Sequence, residues 1–409
     1  MLKIFRNKLL ENLPALKVDN FRYFLIGQAV SLIGTWMQRT AQQWLVYTLT
    51  DSAFLLGLLG VFQFGPQLLF SLFAGVYVDK FPKKNILFVA QTVLLFQALI
   101  LAILVWTDTV QYWHILVLAT VMGFANTLDM PARQAFYIEM VGRDVLYNAV
   151  ALNSTIFNLA RIVGPAFSGI AITTIGISGA FFANAASFVA VLYSLSLIHI
   201  PNPVIRKHRN ANVLKEIVDG LKYIRNNNAL FRSTLLLLFL STLAMNTEVV
   251  LPVFTRNILF ADASVYSSLL SALGLGSLIG ALFAALGNNL PTLRKIYIYA
   301  FMIAIILISS GFVHSYYAML ASMICLGLFN ISFITSVNST LQLNSSDEYR
   351  GRVMSVYTLC LMGATPIGNF ITGSIIQNFG ASAGFMFCGI MLVALIFAIV
   401  KLPHKKQIS

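Results

Sequence analysis

The chain is poor in charged residues, which make up only 10% of its 409 positions. A soluble domain usually carries about a quarter charged side chains. The shortage excludes an ordinary soluble fold, because 58% of the residues are hydrophobic and the mean hydropathy is +0.81. Much of the surface must therefore face lipid. The composition predicts an all-α integral membrane protein.

Signals for catalysis, metals and nucleotides are scarce as well. The three cysteines lie inside apolar stretches without metal or disulfide spacing, and the five histidines lie at the ends of such stretches or in loops. No phosphate-binding Gly-x-x-x-x-Gly-Lys-Ser/Thr segment occurs, and no nucleophile–base constellation stands out. The first apolar stretch is too long for a cleaved signal peptide and contains Arg39. We expect no cofactor, no metal ion and no enzymatic activity.

The chain does contain long apolar stretches of about 20 residues, the length that crosses a bilayer as a helix. We predict twelve transmembrane helices, at 22–48, 53–78, 85–106, 112–139, 147–173, 177–199, 229–255, 263–287, 294–313, 316–343, 352–377 and 380–400. They divide six and six. The predicted domains are an N-terminal bundle (1–200), a cytoplasmic linker with an amphipathic helix (201–228) and a C-terminal bundle (229–409).

Glycines repeat between the two halves at an offset of 204. The pairs are Gly123 with Gly327, Gly164 with Gly368, and Gly169 with Gly373. Duplicated six-helix halves are one of the repeat architectures of secondary transporters, which bind their substrate near the bilayer midplane.

The net charge is +13, and the basic residues are unevenly placed. They cluster in alternate loops, including Lys80, Lys83, Lys84 and the run from Arg206 to Arg232, whereas the intervening loops hold three aspartates and Arg256. This positive-inside pattern predicts a protein of the cytoplasmic (inner) membrane with both termini in the cytoplasm. It speaks against a nucleic-acid partner.

Two segments combine small residues with charge or proline. Residues 75–84 read GVYVDKFPKK, where we expect Gly75 to allow close helix approach and Asp79 to bind helix amides or pair with an arginine. Residues 160–169 read ARIVGPAFSG, where Gly164 and Gly169 belong to a small-residue stripe and Pro165 kinks the helix.

These segments resemble the major facilitator superfamily. The first is similar to its loop signature, with Lys80 for Arg and Pro82 for Gly and with Lys83 and Lys84 as the basic pair. The second is similar to the fifth-helix antiporter signature. Residues 31–57, 128–136, 148–165 and 251–259 resemble the branch that holds enterobactin exporters and macrolide efflux proteins. The resemblance implies two pseudo-symmetric six-helix bundles, efflux by alternating access, and a conformational role for the Asp79 segment.

A few charged residues lie inside the predicted helices, where they must face a partner or a cavity. Asp129 and Arg133 are one helical turn apart. They form either a structural ion pair beside Pro131 or a carboxylate that binds and releases a proton with arginine's help. Glu248, beside Asn246, is the rival proton carrier, and its alternative is a residue facing water.

Further polar and aromatic residues are candidates for contacting substrate. Gln38, Arg39 and Gln42 follow Trp36 as a polar stripe, which either holds helices together or lines a cavity. Arg161 precedes the Pro165 kink and is expected to pair with an acid. Seven aromatic residues are candidates for lining an apolar cavity: Trp36, Trp44, Phe62, Phe64, Tyr137, Phe157 and Phe254.

The sequence favours a monomeric, proton-coupled exporter of a small amphipathic compound, such as a drug or a siderophore. Two alternatives stay open. A protein that moves lysophospholipid between leaflets would need no pH gradient, and a non-transporting sensor would need a signalling partner. The linker is too short to contain a signalling domain.

Overall fold

The computed structural model describes residues 13–200, 213–286 and 292–402, without the side chains of 72, 73, 76, 79, 213–216, 285, 286 and 347. A short 3-10 helix, Pro14–Lys17, leads into α1. The first-half helices are α1 (Asp19–Thr50), α2 (Ala53–Lys80), α3 (Lys83–Trp106), α4 (Tyr112–Val141) and the segment Leu146–Leu197, which Gly176 divides into α5 (146–175) and α6 (177–197).

The second half follows the helix of the linker, α7 (Val213–Asn226). Its helices are α8 (Asn228–Leu243), α9 (Thr247–Asn257), α10 (Ala263–Leu286), α11 (Leu293–Ser310), α12 (Tyr316–Leu343) and the segment Asp347–Val400, which Gly380 divides into α13 (347–379) and α14 (381–400). The described residues contain no β-strand.

The predicted all-α membrane fold is confirmed. Nine helical segments in the described ranges are long and apolar enough to cross a bilayer, and two of them, Leu146–Leu197 and Glu348–Val400, are long enough to cross twice. The segment Asn228–Asn257 combines α8 and α9 as one crossing. Together with α1, which carries the polar stripe, these segments account for the twelve predicted helices.

The two long segments turn at equivalent glycines. Gly176 has φ 78° and ψ 173°, and Gly380 has φ 83° and ψ 168°. Backbone of this kind is open almost only to glycine, because a β-carbon would collide with the neighbouring peptide groups. The two positions are 204 residues apart, which is the offset of the other repeated glycines.

The described chain separates into two compact units. Unit 1 contains residues 13–42 and 69–200, and unit 2 contains 43–68, 213–286 and 292–402. The segment 43–68, from the end of α1 and the start of α2, belongs to unit 2 by its contacts, whereas the sequence division placed it in the N-terminal bundle.

The linker helix α7 packs within unit 2. The Tyr223 ring stacks on Tyr349 of α13 with 4.4 Å between ring centroids, and the Tyr223 hydroxyl accepts a hydrogen bond from the Ser346 amide at 3.1 Å. Residues 201–212 of the predicted linker lie outside the described residues. The location of α7 at a membrane surface stays a prediction.

Candidate transport site

Asp129 on α4 is held by three hydrogen bonds from one arginine. Arg133 donates from Nε to Oδ2 at 2.9 Å, and from Nη2 to Oδ1 and Oδ2 at 2.8 and 2.6 Å. Gln91 on α3 donates from Nε2 to Oδ1 at 2.8 Å. The side chains of Asp129 and Arg133 are only 8% and 12% exposed. A fork of this kind is among the strongest ion-pair geometries in proteins.

This ion pair is enclosed in the core of unit 1. The Arg133 guanidinium lies 5.5 Å from the centroid of the Phe24 ring, which packs edge to face on Phe136 and Tyr137. Within the described residues, Nη1 of Arg133 is buried without a hydrogen-bond partner. The surroundings favour the structural interpretation of the pair, and its part in proton transfer stays a prediction.

A second group, here called the Trp36 cluster, contains Trp36, Arg39, Phe157 and Arg161. The guanidinium carbons of Arg39 and Arg161 lie 5.1 and 5.9 Å from the centroid of the Trp36 ring. The Phe157 ring meets Trp36 edge on, with 5.8 Å between centroids. Trp36, Arg39 and Arg161 are all partly exposed, and Phe157 is 43% exposed. The predicted candidates Trp36, Arg39 and Arg161 are therefore neighbours.

Gly164 brings α5 close to α1 at this cluster. A β-carbon at position 164 would collide with Cβ of Trp36 and would lie 3.1 Å from the Ile33 carbonyl oxygen. Pro165 is buried inside α5, where its missing N–H interrupts the helical hydrogen bonds. Gly169 is buried one turn further on. The small-residue stripe thus sets the distance between the helices that carry Arg39 and Arg161.

The glutamine stripe of α1 points into the bundle rather than into a cavity. Gln38 is 2% exposed, donates to Gln97 at 3.1 Å and accepts from Asn184 at 2.7 Å, which joins α1, α3 and α6. Gln42 is equally buried, and its Nε2 has no hydrogen-bond partner in the described part of the chain. The bonds of Gln38 favour helix packing over substrate contact.

Glu248 lies in unit 2, in the first turn of α9. It is half-buried and accepts a long hydrogen bond of 3.4 Å from Nε2 of Gln43. Three residues break the helix just before it, and the last of them, Asn246, is 2% exposed. Asn246 donates to the Thr372 hydroxyl at 2.9 Å, which ties the break to α13. A carboxylate at this place has the favourable dipole of a helix N-terminus and incomplete burial.

The loop motif at residues 75–84 is described by the structure only in part. Gly75 was expected to allow close helix approach, but among the described residues a β-carbon there would meet nothing within 4 Å, which gives that expectation no support. Lys80 is exposed, while Lys83 and Lys84 donate to the Phe81 and Ile198 carbonyl oxygens at 3.0 and 2.7 Å. The side chain of Asp79 lies outside the described residues.

One concave surface of unit 1 was missed by sequence reasoning. It is an apolar groove of about 590 Å³ formed by α2, α3 and α4 and lined by Phe70, Tyr77, Phe81, Val89 and Phe124 among others. None of the seven predicted cavity aromatics lines it. Tyr137 and Phe254 are instead buried, at 4% and 0% exposure, in the cores of their units. Helical periodicity cannot tell a groove from a lipid-facing surface, so no local signal marks this site.

In the described residues, nine helical segments that can cross a bilayer, two of them long enough to cross twice, and a buried ion pair within one of them define a polytopic membrane transporter. The sequence matches the transmembrane secretion effector family over residues 11–409. The chain belongs to this family of the major facilitator superfamily.

Similar proteins cover nearly the whole chain. The staphyloferrin A transporter of Staphylococcus aureus is 24% identical over 95% of this chain and 97% of its own length. Macrolide efflux protein A of Streptococcus pyogenes is 23% identical, over 90% and 92%. The multidrug efflux pump Tap of Mycolicibacterium fortuitum is 25% identical, over 90% and 91%.

Solved structures share the fold at lower identity. The nucleoside transporter NupG superposes with a TM-score of 0.74 at 14% identity and covers 94% of this chain and all of its own chain. A bacterial homologue of the lysosomal transporter Spinster gives 0.67 at 11% identity, over 93% of this chain and 95% of that chain. These likenesses concern the fold alone.

Proposed function

We propose that this chain is a proton-coupled exporter of a small amphipathic compound in the cytoplasmic membrane. The observation that carries the proposal is the whole-length similarity to proteins named for staphyloferrin A transport, macrolide efflux and multidrug efflux. We further propose that both termini lie in the cytoplasm, on the basis of the positive-inside pattern, and that the protein acts as a monomer.

Proton coupling requires a carboxylate that can gain and lose a proton at low energetic cost. Asp129 would have to give up a bidentate arginine and a glutamine bond inside a closed core. Glu248 is less buried than Asp129 and adjoins a helix break. These contrasts support Glu248 as the proton carrier and the Asp129–Arg133 pair as a conformational support.

The test uses purified protein in liposomes under an imposed pH gradient. Macrolides, other drugs and iron chelators are screened with a pH-sensitive dye inside the vesicles. We expect proton flux that depends on both the protein and one class of compound. Equal transport with and without the gradient would contradict proton coupling.

One observation favours a second candidate, the movement of lysophospholipid between leaflets. The groove of α2, α3 and α4 is almost entirely apolar and is large enough for an acyl chain. Translocation of a fluorescent lysophospholipid in the same liposomes without any pH gradient would support this candidate.

A further inference from the structure

The linker helix α7 has two faces, and the first of them packs on unit 2. Gly220 and Ile224 are buried. A β-carbon on Gly220 would lie 3.0 Å from the carbonyl oxygen of Arg352 in α13, so the two backbones are close together. Tyr223 stacks on Tyr349 of the same helix. This face of α7 is therefore held against the start of α13.

The second face of α7 is open and combines apolar with basic side chains. Val218, Leu221, Lys222 and Arg225 have the i, i+3, i+4, i+7 spacing that places residues on one side of a helix. All four are exposed, Val218 at 47% and Leu221 at 46%. Such a combination is typical of helices that lie in the bilayer interface, where apolar groups enter the lipid and basic groups stay among the headgroups.

The end of α7 lies where the chain enters the membrane. A single residue, Asn227, separates α7 from α8, and its side chain accepts hydrogen bonds from two backbone amides of α8 at 3.0 and 3.2 Å. Helix α8 opens the crossing segment Asn228–Asn257. Because the junction is so short and is capped, the last turn of α7, which carries Arg225, lies close to the bilayer surface.

We infer that the open face of α7 (Val218, Leu221, Lys222 and Arg225) binds the headgroups of anionic phospholipids. The two cations complement the negative charge of the lipid phosphates. Each basic residue near an anionic membrane surface strengthens the attraction by about fivefold. The position of α7 beside a crossing helix favours lipid over a soluble protein as the partner. The inference concerns lipid recognition and goes beyond the proposed export.

One backbone amide outside α7 reports whether this helix is in place. The Ser346 amide, which directly precedes α13, donates to the Tyr223 hydroxyl at 3.1 Å. A ligand that binds one conformation stabilises it against opening. Lipid bound to the docked α7 should therefore slow hydrogen exchange at the amides of α7 and at Ser346.

The experiment measures amide hydrogen exchange of the full-length protein in two kinds of vesicle, one of phosphatidylcholine alone and one that also contains phosphatidylglycerol. The ratio of the exchange rates in the two lipids is compared for wild type, Lys222→Gln, Arg225→Gln and the double variant. Arg294→Gln is the matched control, because it removes a charge from another exposed arginine of unit 2, at the start of α11.

We expect phosphatidylglycerol to slow exchange in α7 and at Ser346 by up to about 25-fold in wild type and Arg294→Gln, which is about fivefold for each cation. Each single variant of α7 should lose about fivefold of this effect, and the double variant should lose all of it. High salt should weaken the effect in wild type by screening.

Three outcomes would overturn the inference. The first is equal exchange in the two lipids for wild type. The second is an unchanged ratio in the double variant, as when the substitutions only loosen α7 and speed exchange equally in both lipids. The third is an equal slowing of all helices, which would show a general effect of the bilayer.

The measurement involves no substrate and no pH gradient. Failure to detect proton-linked export would therefore leave lipid recognition by α7 intact. Equal exchange in the two lipids would in turn remove the lipid site and keep the proposed exporter.

Discussion

In unit 1, α5 crosses α1 at Gly164, against Trp36, whereas in unit 2, α13 crosses α8 at Gly368, against Thr242 and Asn246. Both crossings lack room for a β-carbon. The surrounding side chains differ completely. The first crossing carries an aromatic ring with two arginines, and the second carries an amide and hydroxyl groups beside a helix break.

The difference teaches that residues repeated between the two halves specify helix packing, whereas residues found in only one half supply the charged groups. Glycines recur at the offset of 204, including Gly176 and Gly380 at the turns. The ionisable groups of the candidate site do not recur. Asp129 and Arg133 correspond to Phe333 and Val337, which are fully buried, and Glu248 corresponds to Trp44. The Asp129–Arg133 pair of unit 1 can therefore be changed with its apolar counterpart in unit 2 as a reference.

The largest effect is expected at Glu248, whose equivalent position in the first half of the sequence is Trp44. Glu248→Gln should reduce pH-driven flux in liposomes to background, because the amide cannot bind and release a proton. Glu348→Gln, which changes an exposed glutamate at the start of α13, should transport like wild type. If Asp129→Asn abolishes pH-driven flux while Glu248→Gln does not, the carrier lies in unit 1 instead.

A large loss of stability is expected at the ion pair of unit 1. Asp129→Ala leaves Arg133 buried without its carboxylate and should cost about 3–5 kcal/mol. The double variant Asp129→Leu/Arg133→Met imitates the apolar pair of unit 2 and should recover most of that loss. Unfolding in mixed micelles, followed by circular dichroism, measures both. A double variant as unstable as the single one would show that the charges do more for unit 1 than satisfy each other.

The sequence predicted the fold well, because the length of each apolar stretch can be seen in the local sequence. It predicted the Asp129–Arg133 pair for the same reason, since the two residues are one turn apart on a helix. Gln91, the third member, lies 38 residues away and has no local signal. The Trp36 cluster was predicted in part, because Arg39 lies one turn from Trp36, but the approach of Arg161 depends on how α5 crosses α1.

The helix contacts of small residues were the least predictable feature, because the sequence gives the size of a residue but not its neighbours in the fold. Gly75 and Gly164 both appeared as helix-contact positions. Only Gly164 is closely packed, and open space adjoins Gly75. The apolar groove was missed because its lining has the same composition as a lipid-facing surface.

A smaller loss of stability is expected at the closely packed glycines that the two units share. Gly164→Ala and Gly368→Ala should each cost about 1–3 kcal/mol, because the added methyl group forces the crossing helices apart. Gly75→Ala is the matched control and should stabilise the protein by about 0.5–1 kcal/mol, since it removes a glycine from a helix without a clash. Melting temperatures in detergent compare the three. If all three variants lose the same stability, close packing at the helix crossings does not explain why glycines recur at an offset of 204.

The smallest expected effect is a difference between two variants. Gly176→Ala and Gly380→Ala meet no obstacle from packed neighbours in the described part of the chain, because beyond the adjacent peptide groups the nearest atom is the Ser178 hydroxyl oxygen at 4.0 Å for the first and none lies within 4 Å for the second. Each substitution should therefore cost only backbone strain, about 1–3 kcal/mol. Because the two glycines share φ and ψ, their costs should agree within about 1 kcal/mol. If one alanine is tolerated and the other is not, the two turns share their backbone geometry but differ in how strongly the surrounding residues stabilise it. The two halves would then be alike in backbone conformation and not in the stability of these turns.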